Sequence, residues 1–245
     1  MTSRSNVNHL VAIAAVFFAT ACGSGMLDVG FPTGPGNGGG GGSAATAGSA
    51  AAYVGVLADS LKHGNVSITV SPTLSVAGTL TFAGGPTVTL TGLVDTVQEE
   101  IHASGGGYTI GGFVVAGQLS AVYVGPGASG YIVATSDSLT GETHQTYSGQ
   151  YASTNSNGRI MMQVTTGGSA AGFVIQTTGT SLSSFFNGTV VNSTIFTSVT
   201  QAGVALNGSV SPDQSAITGT YAPPVANSSA VNSATGTFSA TRGGC

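Results

Sequence analysis

The sequence predicts an all-β protein, an antiparallel meander closing into a β-sandwich or a soluble β-barrel, preceded by a signal peptide and a flexible Gly-rich tether. Three observations carry that prediction. Only 5% of the 245 residues are charged and 40 are glycine, where an ordinary soluble domain is about 25% charged. Apolar and hydroxyl-bearing residues alternate strictly in short runs, the period of a half-buried strand. Gly, Pro and Asn punctuate those runs at short intervals, so turns, and not helical connections, join the strands.

Residues 1–21 read as a signal peptide. Met1 to His9 is polar with one cation, Arg4, and Leu10 to Ala21 is small and apolar throughout except for Thr20. Such a run is too short for the roughly 20 residues a membrane span needs, but it suits a signal-peptide core. Ala19-Thr20-Ala21 has the small-x-small form that ordinary signal peptidase accepts. The same residues directly before Cys22 resemble the lipobox of bacterial lipoproteins, although Ala19 stands where leucine is commonest in that family. The resemblance implies that Cys22 becomes the acylated first residue and that the protein meets the membrane through a lipid anchor. Gly23 and Ser24 resemble the start of lipoproteins sent to the outer membrane. Under ordinary cleavage a Cys22–Cys245 bridge becomes available in an oxidising compartment, and under lipidation Cys245 is a free thiol. Neither cysteine has a partner at metal-ligand spacing.

Residues 22–52 read as a linker. Pro32, Pro35 and the run Gly38–Gly42 lead into small residues, a composition that buries too little surface to order itself. Its roughly 30 residues span on the order of 30 Å as a random coil.

Residues 53–245 read as the all-β domain. Val66, Ile68 and Val70 alternate with Ser67 and Thr69; Leu80 and Phe82 alternate with Thr79 and Thr81; Val88 and Leu90 alternate with Thr87, Thr89 and Thr91. Turns fall at Ala83-Gly84-Gly85-Pro86, Gly125-Pro126-Gly127 and Asn157-Gly158. Strands are predicted near residues 66–70, 75–83, 87–94, 99–104, 108–114, 117–124, 130–136, 145–152, 159–166, 171–178, 186–191, 194–199, 203–210, 215–222 and 235–241. Residues 92–103 admit two readings. Val94, Val97 and Ile101 have helical spacing with Gly105 as a cap, whereas flanking strands favour a hairpin turning at 95–98, and the hairpin is preferred. The units Gly149-Gln150-Tyr151, Gly188-Thr189-Val190, Gly219-Thr220-Tyr221 and Gly236-Thr237-Phe238 share a Gly-polar-apolar form, which points to glycines that let a neighbour pack close. Their irregular spacing favours a meander over a solenoid.

Gly105-Gly106-Gly107-Tyr108-Thr109, Tyr123-Val124-Gly125-Pro126, Thr146-Tyr147-Ser148-Gly149-Gln150-Tyr151 and the closing Gly236-Thr237-Phe238-Ser239-Ala240-Thr241-Arg242 resemble uncharacterised Gly/Thr-rich bacterial lipoproteins across most of 66–242. The resemblance implies an exported or lipid-anchored β-domain and brings no activity with it.

Composition excludes nucleic acid as a partner, since four scattered basic residues cannot replace phosphate counterions. No Gly-x-Ser-x-Gly elbow occurs, and no residue stands out as catalytic. The densest polar cluster is Asp95, Glu99, Glu100 and His102, where Glu100 and His102 project from one face of a strand and could hold a cation. The plainer reading is a solvated hairpin tip. Asp137 and Glu142, with Ser136, Ser138 and His144, form a second polar loop with oxygen ligands for calcium, without the dense spacing of a dedicated loop. Tyr108, Tyr123 and Tyr131 are ligand-binding candidates, with Tyr147 and Tyr151 beside them, although packing inside the sheet is the preferred reading of all. The sequons at Asn65, Asn187, Asn192, Asn207 and Asn227 read as turn chemistry.

The function expected from these features is a binding or structural module in the cell envelope, lipid-anchored at the outer membrane and facing either the periplasm or the surface. It would act without a cofactor, and its partner would be an envelope protein or polysaccharide. A hydrolase or metal-binding enzyme using the acidic and His-bearing loops is the alternative. A second alternative is an outer-membrane β-barrel, against which stand the low aromatic content of 7% and the Thr and Ser on outward positions.

Overall fold

The computed structural model describes residues 50–96, 100–153, 156–179, 183–201, 203–222 and 235–243. Eight antiparallel strands come first: β1 (Ala51–Ala58), β2 (His63–Val70), β3 (Ser75–Phe82), β4 (Thr87–Asp95), β5 (Glu100–Gly105), β6 (Tyr108–Val115), β7 (Gln118–Gly125) and β8 (Ala128–Thr135). Each pairs with the next, and β1 closes onto β8 with Gly55 opposite Ala134. A single-turn helix, α1 (Asp137–Thr140), leads into a second set. It comprises β9 (His144–Ser153), β10 (Ser156–Thr165), β11 (Ser169–Gly179), β12 (Ser184–Val191), β13 (Ile195–Thr200), β14 (Ala205–Val210), β15 (Ala216–Ala222) and β16 (Gly236–Arg242). Here β16 closes onto β9, with Ala240 opposite Gly149. The protein is all-β, and of the two closures the sequence allowed, it is the barrel, built twice.

All fifteen strands expected from alternation and turn punctuation are present, as β2 to β16. One strand was missed. β1 hides from a period-two reading because its second half, Val56, Leu57 and Ala58, is buried on both faces, and Ala51 and Ala52, assigned to the linker, begin it. Residues 92–103 form the hairpin, with Asp95 opposite Glu100; its tip lies outside the described residues, as do the leader and the linker up to residue 49. α1 is the one helical turn among the described residues, closed by Gly141 in the left-handed conformation at φ 69°.

Alternation places each barrel's core. In β2, Val66, Ile68 and Val70 face inward and are at most 1% exposed, while Ser67 and Thr69 face solvent. The first core gathers Tyr53, Leu57, Ile68, Leu80, Leu90, Ile101, Leu119 and Tyr123. The second is more aromatic: Phe186 meets Phe196 edge-on at 6.2 Å between ring centroids, and Phe196 meets Phe238 at 5.9 Å.

The barrels are structural copies. Gly55 lies so close to β8 that a Cβ there would enter Val133 O and Ala134, and Gly149 stands in the same relation to Ser239 O and Ala240 of β16. Gly130 lies beneath the Tyr123 ring opposite it, as Gly236 lies beneath Tyr221. Gly55, Gly64 and Gly78 recur as Gly149, Gly158 and Gly172 at one constant separation along the chain. Each would drive a Cβ into the neighbouring strand, so a residue without one is required at every crossing.

The barrels pack side by side through the outer faces of β1 and β8 against those of β10, β11 and β12. Val56, Tyr131 and Val133 meet Met161, Phe173, Ile175 and Phe185 in a buried cluster. Thr135 and Gln163 inside this contact are paired, as burial requires, while Arg159 Nε at its edge is buried without a hydrogen-bond partner among the described residues. Thr135 Oγ1 donates to Gln163 Oε1 at 2.7 Å, and Gln163 Nε2 donates to Val54 O at 2.7 Å. At the edge, Arg159 Nη1 donates to His63 Nδ1 at 3.1 Å.

Candidate functional site at the barrel mouths

In each barrel a ring of inward side chains closes the end at which its first strand begins. In the first barrel the ring is Tyr53, Val70, Val94, Val114 and Leu119. By the correspondence of strands, the second ring is Tyr147, Val164, Val190, Val210 and Ile217. At these five positions the two differ by one leucine-to-isoleucine exchange; beside them Val76, opposite Val70, is replaced by Ala170, opposite Val164.

What covers the rings differs. The chain leaving β8 bonds Ser136 N to Gly117 O at 2.8 Å and turns into α1, whose Leu139 packs against the first core. Leu139 and Thr140 lie against Gly117 in the β6–β7 turn. The chain leaving β16 makes the equivalent bond, Arg242 N to Ser215 O at 2.8 Å, and Gly243 then donates to Thr146 O at 3.0 Å. No described residue takes the place of Leu139 over the second ring. There the same apolar floor lines a cavity of about 320 Å³.

The rims have diverged as well. Around the second mouth stand Gln145, Thr165, Thr166, Asn192, Ser193 and Gln214, neutral groups that both donate and accept, and no charged side chain lines it. Gln145 Nε2 donates to Gln214 Oε1 at 3.4 Å. The Tyr147 hydroxyl lies 3.0 Å from both Gln145 Oε1 and Gln214 O, a shared donation. Burial raises the Tyr147 pKa, Arg242 opposes the rise and Asp213 adds to it. Asp213 itself, on the exposed β14–β15 turn, is held at about 2 by the hydroxyls of Ser211 and Ser215. In the first barrel Ala51 and Ala116 occupy the places of Gln145 and Gln214. Ala116 and Gln214 share left-handed backbone, at φ 52° and 55°. With no amide beside it, the Tyr53 hydroxyl is buried without a hydrogen-bond partner among the described residues, and burial pushes its pKa up to about 12.

The residues singled out from the sequence lie elsewhere. Glu100 Oε2 and His102 Nε2 pair at 3.0 Å on the outer face of β5, with His102 55% exposed. Asp137 Oδ1 pairs with His144 Nδ1 at 2.5 Å across the connection between the barrels, and the Glu142 carboxylate lies against Gly167. These groups make two separate pairs, and among the described residues no three His, Cys, Asp or Glu gather as a metal site; Glu99 lies outside them. Tyr108 lies tilted against Phe82 at 5.3 Å and Tyr123 meets it edge-on at 5.8 Å between ring centroids in the first core. Tyr131 packs edge-on to Phe185 at 4.9 Å between the barrels. All three are 8% exposed or less, so none offers a surface platform. Cys22 lies outside the described residues.

Sequence reasoning passed over Asp59, which is 1% exposed. Its Oδ1 accepts from Leu61 N at 2.7 Å and Lys62 N at 2.6 Å, and its Oδ2 accepts from Tyr123 OH at 2.7 Å. Burial first, then this bond, raises the Tyr123 pKa. Through these bonds Asp59 ties the β1–β2 turn to Tyr123 of the barrel interior. The rim glutamines were also passed over, because a lone Gln in a β-rich chain carries no signal until the fold sets two of them across a mouth.

Fold and site together define a tandem pair of closed eight-stranded antiparallel barrels, one mouth covered by Leu139 and the other uncovered among the described residues. Comparison with protein-family models, with curated proteins and with solved structures gives no match.

Proposed function

We propose that the protein is an exported, lipid-anchored binding module of the cell envelope, and that the mouth of the second barrel is where it binds. The observation that carries this reading is the open apolar floor under a neutral hydrogen-bonding rim, in a barrel whose sister mouth is filled by Leu139. Small-ligand sites have that character, an apolar cavity with a few placed polar groups. Export and anchoring rest on the 1–21 leader, on Cys22 behind Ala19-Thr20-Ala21, and on the Gly-rich tether. Outward-facing Asn65, Ser67, Thr69, Thr87, Thr89 and Thr91 are exposed, a surface suited to water or an envelope polymer and poorly suited to hydrocarbon, which favours attachment by the tether over attachment by the strands. The enzyme reading has less support, since no carboxylate, imidazole or amine lines the mouth. Mass spectrometry of the mature amino terminus from native cells tests the anchor. An acylated Cys22 is expected, and recovery of the chain still beginning at Met1 would overturn export and anchoring together.

A further inference from the structure

We infer that the mouth of the second barrel receives a branched aliphatic side chain presented by a short uncharged peptide, and that Leu139 over the first barrel displays how such an occupant sits. This rests on the reading of the second mouth as a binding site.

The two rings match at five positions, Tyr53 with Tyr147, Val70 with Val164, Val94 with Val190, Val114 with Val210 and Leu119 with Ile217, and next to them Val76 gives way to the smaller Ala170, which widens the second mouth. What satisfies one apolar ring is therefore a guide to what satisfies the other. The first is met by a leucine flanked by hydroxyl-bearing residues, Ser136-Asp137-Ser138-Leu139-Thr140, with Ser136 Oγ 3.0 Å from Ser138 Oγ and Thr140 Oγ1 donating to Ser136 O at 3.0 Å. The second ring is uncovered among the described residues, and it has gained Gln145 and Gln214 where the first has Ala51 and Ala116. A carboxamide donates and accepts at once, which matches the N–H and C=O of a peptide on either side of a buried side chain. A plug built into the chain needs no such rim, because its position is set covalently.

Size and depth narrow the class further. About 320 Å³ is at the small end of ligand pockets, roughly 300–1,000 Å³. Below the mouth, Phe186, Phe196 and Phe238 fill the barrel and are at most 3% exposed, which leaves no depth for a long acyl chain. Tyr147 is 2% exposed and presents no open ring face for a sugar to stack on. The absence of charge from the lining favours an uncharged ligand.

The test is a titration of the full chain from Gly23, labelled at Ile, Leu and Val methyls, with N-acetyl-Ser-Leu-Thr-amide. Saturable shifts are expected at Val164, Val190, Val210 and Ile217, with Val70, Val94, Val114 and Leu119 unmoved as internal controls. Replacing the peptide leucine by glycine should weaken binding at least about tenfold, the worth of burying one leucine side chain. Gln214→Ala, on the rim and outside the core, should weaken it several-fold while leaving the fold intact. Leu139→Ala should bring the first-barrel methyls into the response. Equal binding of the glycine peptide, or shifts with a neutral disaccharide or octanoate and none with the leucine peptide, would overturn the ligand class and leave the site standing. No shift at the second mouth with any of these probes up to about 10 mM, a concentration that reveals even millimolar affinity, would overturn the site itself.

Discussion

At the scale of single residues, glycine does more here than relax turns. Gly149 sits where β9 crosses β16, and any side chain would enter Ser239 O and the Ala240 backbone. Gly149→Ala is expected to destabilise by roughly 2–4 kcal/mol, the cost of overpacking where only backbone could yield. Gly127, in an open turn at φ 77° with nothing near its missing Cβ, should cost about 1 kcal/mol on the same change, from backbone strain alone. Urea midpoints of the two variants check this, and equal losses would refute the crossing as the cause. The Gly-polar-apolar units were legible as close-packing sites, and Gly149, Gly188, Gly219 and Gly236 each face a neighbouring strand in that way. The role of Tyr147 was not legible. Its importance comes from Gln145 and Gln214, and the latter lies far along the chain, brought close only by the barrel's closure.

At the scale of elements, strict alternation made strands such as β2, β3 and β13 readable, because each has one wet face and one dry face. By contrast, β8 and β10, largely buried on both faces, were readable from the turn residues that bound them. β1 escaped because its second half is dry on both faces and because it runs on from a linker so rich in small residues that no single turn marks its start. Closure was beyond the sequence for a similar reason, since a sandwich and a barrel ask for the same period of two. The edge of the contact between barrels carries a pH dependence. Burial first, and Arg159 second, hold the His63 pKa below its ordinary 6.5, and the neutral ring accepts the Arg159 hydrogen bond. The unfolded chain therefore takes up a proton before the folded one does. Stability from this group is complete above about pH 6.5 and is lost as pH falls from there through the lowered value. His63→Gln should flatten the urea midpoint between about pH 7 and pH 5 relative to the parent. An unchanged slope would show that His63 has no part in it.

At the scale of the whole molecule, two copies of one barrel have been given different ends. The duplication was hard to see in sequence because it survives in the glycines at strand crossings and in the inward ring, while outward positions and turns have drifted. Alternation conceals inward identity as well, since any aliphatic residue satisfies it. Once the barrels are matched, the contrast between their mouths becomes the main functional fact, with Leu139 over one ring and a cavity of about 320 Å³ over the other. The buried cluster joining the barrels, with Gln163 bonded to both Thr135 and Val54, keeps both mouths on the same side.

Thiol labelling tests that contrast directly. With Cys22 and Cys245 replaced by serine, single cysteines are placed at the matched positions Val70, which is fully buried, and Val164, which lines the cavity. A small methanethiosulfonate reagent should modify the cysteine at 164 readily and the one at 70 at least about a hundredfold more slowly, since access to the latter requires a local opening. Adding Leu139→Ala should close most of that gap. Equal rates at the two positions with Leu139 in place would contradict the division into a filled mouth and an open one.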